Sequence, residues 1–242
     1  MVNKVINVLD KGYVRLVDHM GSDLSCVNAA RVSFEKESSS MSGKDERLIQ
    51  YLVKHGHTSP FRHATLEFEV RAPLMVARQW FKYRIGSHHA EDMSVDDSGF
   101  DDPLYARNES SRRYVTEEPE FYSDVTWLSA PENRKQGSGD AIDSALSDQW
   151  SLVLQGYQAL GAELYKDAIA VGICPEQARL LLPAYGLYIR WRWTTSLLAV
   201  THFLNQRLGH DAQSEIQLYA KAVHELVKDV FPVSIKALVT KE

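Results

Sequence analysis

Cysteine is scarce in this chain: two among 242 residues, Cys26 and Cys174, with no Cys-x-x-Cys pair. That excludes a disulfide-stapled scaffold and a thiolate zinc site, and it fits thiols kept reduced. Long apolar runs are missing as well, and nothing approaches the roughly 18 residues a membrane helix needs. The opening Met1-Val-Asn-Lys-Val-Ile is too short and mixed for a signal peptide, so a cytoplasmic protein without a membrane partner is expected. There is no basic excess: 27 Lys and Arg face 32 Asp and Glu, a formal net charge of −5. That disfavours a general nucleic-acid coat but leaves room for a local basic pocket that takes a small anion. No repeat of 20–50 residues is present, which removes solenoids and propellers. G-x-S-x-G, P-loop, G-x-G-x-x-G and H-E-x-x-H motifs are all absent, so serine hydrolase, NTPase, Rossmann and zincin readings have no local support.

What is present is ordinary for a globular enzyme. Hydrophobic residues make up 44% and charged residues 24%, and a chain of this length can bury about 70% of its surface on folding. Residues 1–242 read as a single domain of α+β class, with an antiparallel sheet flanked by helices, because helices dominate and strands do not alternate with them regularly. Lys4–Val17 reads as strand–turn–strand. Leu48, Ile49, Leu52 and Val53 carry helical spacing, with Gly56 as the stop. Ala64, Leu66, Phe68 and Val70 alternate with Thr65, Glu67, Glu69 and Arg71, the period of a half-buried strand. Pro73 then predicts a helix over 74–85.

Farther on, Asp140 is the expected N-cap of a long amphipathic helix reaching about Gly172, with Leu146, Val153, Tyr157, Leu160 and Leu164 on its apolar stripe. A short helix from Pro175 carries Glu176 and Arg179. A strand with Trp191 and Trp193 on one face and Arg190 and Arg192 on the other follows, and then a helix over 196–208 stopped by Gly209. Asp211 is the expected cap of a last long helix with Ile216, Tyr219, Val223, Leu226 and Val230 inward.

Residues 88–106 break the pattern, with six acids and no Lys or Arg, and read either as a surface insertion or as a substrate lid. Arg78, Gln79, Lys82 and Arg84 precede them; Arg107, Glu109, Ser111, Arg112 and Arg113 follow. On a continuous helix Arg78 and Lys82 would share one face, where two cations either complement the helix dipole or converge on a phosphate. Arginine forks beside a Gln amide and a Ser hydroxyl suit a nucleotide. His55, His57 and His63 lack metal-site spacing, so no metal is expected; they serve either as satisfied structural histidines or as the lining of a planar ligand. Alternating Arg and Trp at 190–193 also permits stacking on single-stranded nucleic acid, but the two residue types fall on opposite faces.

Taken in order, these pieces resemble the flavin-dependent thymidylate synthase family over nearly the whole chain. The resemblance is carried by Gly12-x-Val14 through Met20-Gly21-x-Asp23, Ala29-Ala-Arg31-Val-Ser33-Phe, His55-Gly-His57-x-Ser-Pro-Phe, Ala77-Arg-Gln-Trp-Phe and Asn108-Glu109-x-Ser111-x-Arg113-Tyr114. Glu176-x-Ala178-Arg179-x-x-Leu-Pro183, Phe203-Leu-x-x-Arg207 and Ala212-Gln213-x-Glu215-Ile complete it. The family signature is Arg-His-Arg, seven residues, then Ser; here Lys82-Tyr83-Arg84 stands 26 residues before Ser111, and removing the 19 of segment 88–106 leaves seven. The resemblance implies a homotetramer with shared active sites, FAD as cofactor, and methylenetetrahydrofolate and NADPH as co-substrates. The product is a uracil nucleotide, dUMP or UMP, methylated at C5. It places Gln79, Glu109, Ser111, Arg112, Arg113, Arg179 and Arg207 on the nucleotide, with Arg207 toward the uracil and Ser111 as a positioning donor; these two are the candidate catalytic residues. It places Ser33, His57, Ser59, Arg78, Arg84 and Asn108 on FAD, with Lys82, Tyr83, Glu109, Ser196 and His202 at further cofactor positions. The chain departs from the family at Lys82-Tyr83, at Arg62, where an acid is usual, and at Ser196, Leu198, His202 and Asp211. A flavin- or nucleotide-binding homologue without turnover is the alternative these departures leave.

Overall fold

The computed structural model describes residues 2–83, 106–115, 117–131 and 137–241. Arg84 and residues 88–105 of the acidic segment lie outside them. Five strands, β1 (Val5–Val8), β2 (Gly12–Met20), β3 (Thr65–Pro73), β4 (Ala106–Glu109) and β5 (Tyr188–Ser196), form one sheet in the order β1-β2-β3-β5-β4. Among the described residues every strand pairing is antiparallel, as the sequence predicts.

Alternation decides which face is buried. Register aligns Leu16 with Phe68 and Phe68 with Trp193, and likewise Val14 with Val70 and Val70 with Trp191; all six are buried. The intervening residues form a charged row on the other face. Glu69 Oε2 pairs with Arg15 at 3.1 Å and with Arg192 at 3.2 Å, and Tyr13 donates to Glu69 Oε1 at 2.8 Å. The Arg–Trp alternation of β5 is therefore a core face backed by an ion-paired face.

Helices α1 (Asp23–Arg31), α2 (Gly43–Lys54), α3 (Leu74–Trp80), α6 (Leu197–Arg207), α7 (Ser214–Val227) and α8 (Pro232–Leu238) contribute to the main core. Trp80 sits at its centre, stacked on Phe203 at 4.4 Å and edge-on to Trp191 and Trp193 at 5.5 and 5.4 Å, geometries that aromatic quadrupoles favour. Helix α4 (Ser144–Ala170) and the short α5 (Pro175–Ala178) build a smaller cluster with Phe121, Leu182 and Leu187. Among the described residues no helix is long and apolar enough to cross a membrane.

Several local expectations need correction. Helix α3 stops at Trp80 instead of running to 85, since Phe81 and Lys82 form a turn in which Tyr83 N donates to Trp80 O. The cap of α4 is Asp143, whose carboxylate accepts from Ala145 N and Leu146 N at 3.0 and 3.2 Å, and not Asp140. Helix α7 begins after Gln213, not Asp211. Helices α1 and α8 and strand β4 are not among the predicted elements. Asp23 ties α1 to α8 by accepting from Val233 N and Ser234 N at 2.8 and 2.9 Å, which satisfies orphan donors at the α8 start.

Candidate active site

The end of α3, the end of α6 and the turn before α7 enclose a cavity of about 510 Å³ lined by Gln79, Arg207, Asp211 and Gln213 among others. Strand β3 delivers α3 directly, Ser196 caps α6 by accepting from Ala199 N at 3.3 Å, and α6 carries Arg207 to its C-terminal end. A cation is favoured there by the helix dipole. The Arg207 guanidinium lies over the Tyr83 ring, 5.3 Å from its centroid, while its Nε is buried with no hydrogen-bond partner. Burial raises the Tyr83 phenol above its ordinary pKa, partly offset by Arg207. Phe203 and His202 flank the Tyr83 ring at 5.2 and 5.7 Å. Gln79 Nε2 donates to Gln213 Oε1 at 2.5 Å.

A second group forms where the chain leaves β4. Ser111 Oγ accepts from Arg113 N at 3.3 Å, and its carbonyl accepts from Tyr114 N and Val115 N. Arg112 donates to the carbonyls of Glu117 and Glu118, Arg113 pairs with the Glu176 carboxylate, and Arg179 Nε donates to the Glu176 carbonyl at 3.1 Å. Glu176 thus gathers Arg113 and Arg179, which stand far apart in sequence. Asn108 and Glu109 are adjacent yet face opposite sides of the sheet: Asn108 pairs with Arg192 on the charged side, Glu109 with Trp191 on the core side. Desolvation raises the Glu109 carboxyl above its usual range against the pull of Arg107. Arg107 itself lies 3.7 Å over the Phe81 ring.

Donors suited to a dinucleotide cofactor are displayed separately. Ser33, His57, Ser59 and Arg78 are all exposed, and the His57 ring stacks on Tyr51 at 6.3 Å. Hydroxyls, a guanidinium and an imidazole plane fit a diphosphate and a flat ring system. Lys82 is exposed beyond the helix end, so it does not share an α3 face with Arg78 as the sequence suggests. Two expected cofactor residues fit poorly: Ser196 is wholly buried as the α6 cap, and Tyr83 is buried beneath Arg207. Arg84 lies outside the described residues. A larger cavity of about 580 Å³, between α4 and residues 117–119, is lined by none of the expected site residues.

Sequence reading gave Glu176, Gln213 and Glu215 no role. Gln79 and Gln213 stand 134 positions apart, so no local spacing could join them.

The family model described as thymidylate synthase complementing protein matches residues 15–233. A flavin-dependent thymidylate synthase of Thermotoga neapolitana is 38% identical over 235 residues, 97% of this chain and 94% of its own. One from Thermus thermophilus is 38% identical over 229 residues, 95% of this chain and 76% of its own. Among solved structures, the UMP/dUMP methylase PolB of Streptomyces cacaoi bound with 5-Br dUMP superposes with a TM-score of 0.75 at 27% identity, covering 98% of both chains. The same methylase bound with 5-Br UMP also gives 0.75, at 26% identity.

Proposed function

Because the chain belongs to the flavin-dependent thymidylate synthase family, we propose that its nucleotide is dUMP, methylated at uracil C5 with FAD as cofactor, methylenetetrahydrofolate as carbon donor and NADPH as reductant. The observation that carries the site assignment is the Arg207 guanidinium, which lies over Tyr83 and lines the same cavity as Gln79. Donors aimed at a uracil carbonyl stabilise the negative charge that develops there as C5 becomes nucleophilic. Ser111 positions the nucleotide, and Arg112, Arg113 and Arg179 supply guanidinium forks for its phosphate. Arg112 and Arg179 are held by backbone carbonyls, which a phosphate would replace with charge-assisted bonds, whereas at Arg113 it would compete with the Glu176 carboxylate. Ser33, His57, Ser59, Arg78 and Asn108 would hold the flavin, which supplies the redox chemistry while the protein orients rings and stabilises charge.

A homotetramer with shared active sites belongs to this reading. Val153, Tyr157, Leu160 and Leu164 repeat at helical spacing along α4 and are exposed in the single chain, a contiguous apolar stripe of the kind that marks an interface.

UMP is the second reading, favoured by the likeness to a methylase named for both nucleotides. A competition assay decides: protein, FAD, NADPH and methylenetetrahydrofolate are supplied with dUMP and UMP together, and products are read by mass. Predominant methylated dUMP is expected. Predominant methylated UMP moves the assignment to a ribonucleotide enzyme, and no methylated product from either sinks the proposal in favour of a silent binding homologue.

A further inference from the structure

The Ala212-Gln213-x-Glu215-Ile motif matches the family but has no task in the scheme above. Glu215 stands in the first turn of α7 and is 9% exposed. A carboxylate accepts hydrogen bonds and donates none. Glu215 Oε2 accepts from Gln213 Nε2 at 2.7 Å and from Ser214 Oγ at 3.1 Å. Gln213 must therefore turn its NH₂ toward Glu215, which aims its carbonyl oxygen toward α3. There it accepts from Gln79 Nε2 at 2.5 Å. A glutamine amide has nearly the same shape in either orientation, so an isolated pair could settle two ways. The carboxylate removes that freedom at one end, and the order of donors and acceptors is passed through Gln213 to the cavity. Gln79 is left with its carbonyl oxygen and one N–H in fixed places.

We propose that Glu215, acting through Gln213, sets the orientation of the Gln79 side-chain amide at the nucleotide cavity, so that both are positioning residues for nucleotide binding. The inference rests on the uracil-nucleotide reading of that cavity. Its physical content is preorganisation: an amide already held in its bound orientation loses less freedom when the ligand arrives. Removing the anchor weakens nucleotide binding while leaving chemistry on the bound nucleotide nearly intact.

The test is a double-mutant cycle on the flavin-loaded, full-length protein. Dissociation constants for dUMP and UMP are measured by titration calorimetry, and KM and kcat for the nucleotide turned over. Gln79→Ala is expected to weaken binding about tenfold. Glu215→Gln, whose new amide can donate or accept, is expected to weaken it about fivefold and raise KM in step, with kcat within twofold. In the Gln79→Ala background Glu215→Gln should change nothing further, because the group it orients is gone. Gln213→Leu should repeat the pattern and covers the case in which Glu215→Gln folds poorly. Effects that multiply instead of saturating, or unchanged binding in both Glu215→Gln and Gln213→Leu, overturn the proposal while leaving Gln79 in the site. Unchanged binding in Gln79→Ala overturns the site assignment and the proposal together. Binding without methylated product overturns only the catalytic reading.

Discussion

At Arg207 one side chain meets two demands, packing on Tyr83 and lining the Gln79 cavity. Arg207→Ala removes both, and kcat/KM for the nucleotide should fall about 10²–10³-fold, the usual loss for a single donor at a site of developing charge. Tyr83→Phe keeps the ring beneath the guanidinium and removes the phenol, whose raised pKa the Arg207 charge partly offsets. A loss of about tenfold in kcat/KM, with Tm nearly unchanged, is expected; a fully active Tyr83→Phe enzyme would mean that packing alone places Arg207. Asp45 is buried under Ser42, Ser38 and Arg31. Their hydrogen bonds, Ser42's foremost, hold its carboxyl down at about 2, against an ordinary value of 3.8. A depressed folded-state pKa stabilises the fold above the unfolded value and loses that effect as pH falls through the folded one. The Tm advantage of the wild type over Asp45→Asn should thus be complete near neutrality and shrink between about pH 4 and 2.

Among the elements, α4 departs furthest from what its sequence pattern suggests. Its apolar stripe is exposed, whereas its inward face is built of Gln158, Gly161, Tyr165 and Ala168. Gln158 donates to Tyr122 O at 2.8 Å. A Cβ on Gly161 would sit 2.5 Å from Pro183 Cδ and 2.9 Å from Leu181 O. The helix crosses the chain beside the Arg179 turn at that point, and only glycine admits the approach. Gly161→Ala should cost about 1–3 kcal/mol, read by thermal unfolding, despite alanine's better helix propensity. On the outward stripe, Val153→Glu with Leu160→Glu should reduce the mass seen by light scattering from four times 27.4 kDa toward one. A monomeric wild type would leave the stripe without its proposed occupant.

Over the whole molecule, substrate choice is a collective property that no single contact settles, and the dUMP/UMP competition is its measurement. The fold was legible wherever burial is local. Period-two alternation in β3 and β5 marked their core faces correctly, and Pro73, Ser196 and Gly209 marked helix boundaries, because caps and alternation act over a few residues. The helix stop at Trp80 and the true caps Asp143 and Gln213 were not legible, because several polar residues stand near each boundary and packing selects among them. Candidate site residues were legible as types, through runs of arginine and an ordered set of family motifs. Their partners were not: Arg113 with Glu176, Arg207 with Tyr83 and Gln79 with Gln213 join segments that share no periodicity.

The sequence by itself determined an α+β domain, the buried faces of its strands, the family resemblance, and the residue types available for an anion and a planar ring. Tertiary structure alone decided that Asn108 and Glu109 face opposite sides of the sheet, that Ser196 is spent as a cap, that the α4 stripe lies outward, and that Glu215 reaches Gln79 through Gln213. The division has one physical cause. Hydrophobic alternation is short-range and written in consecutive residues, whereas hydrogen-bond partners, the choice among neighbouring caps, and exposure depend on which segments the core brings together.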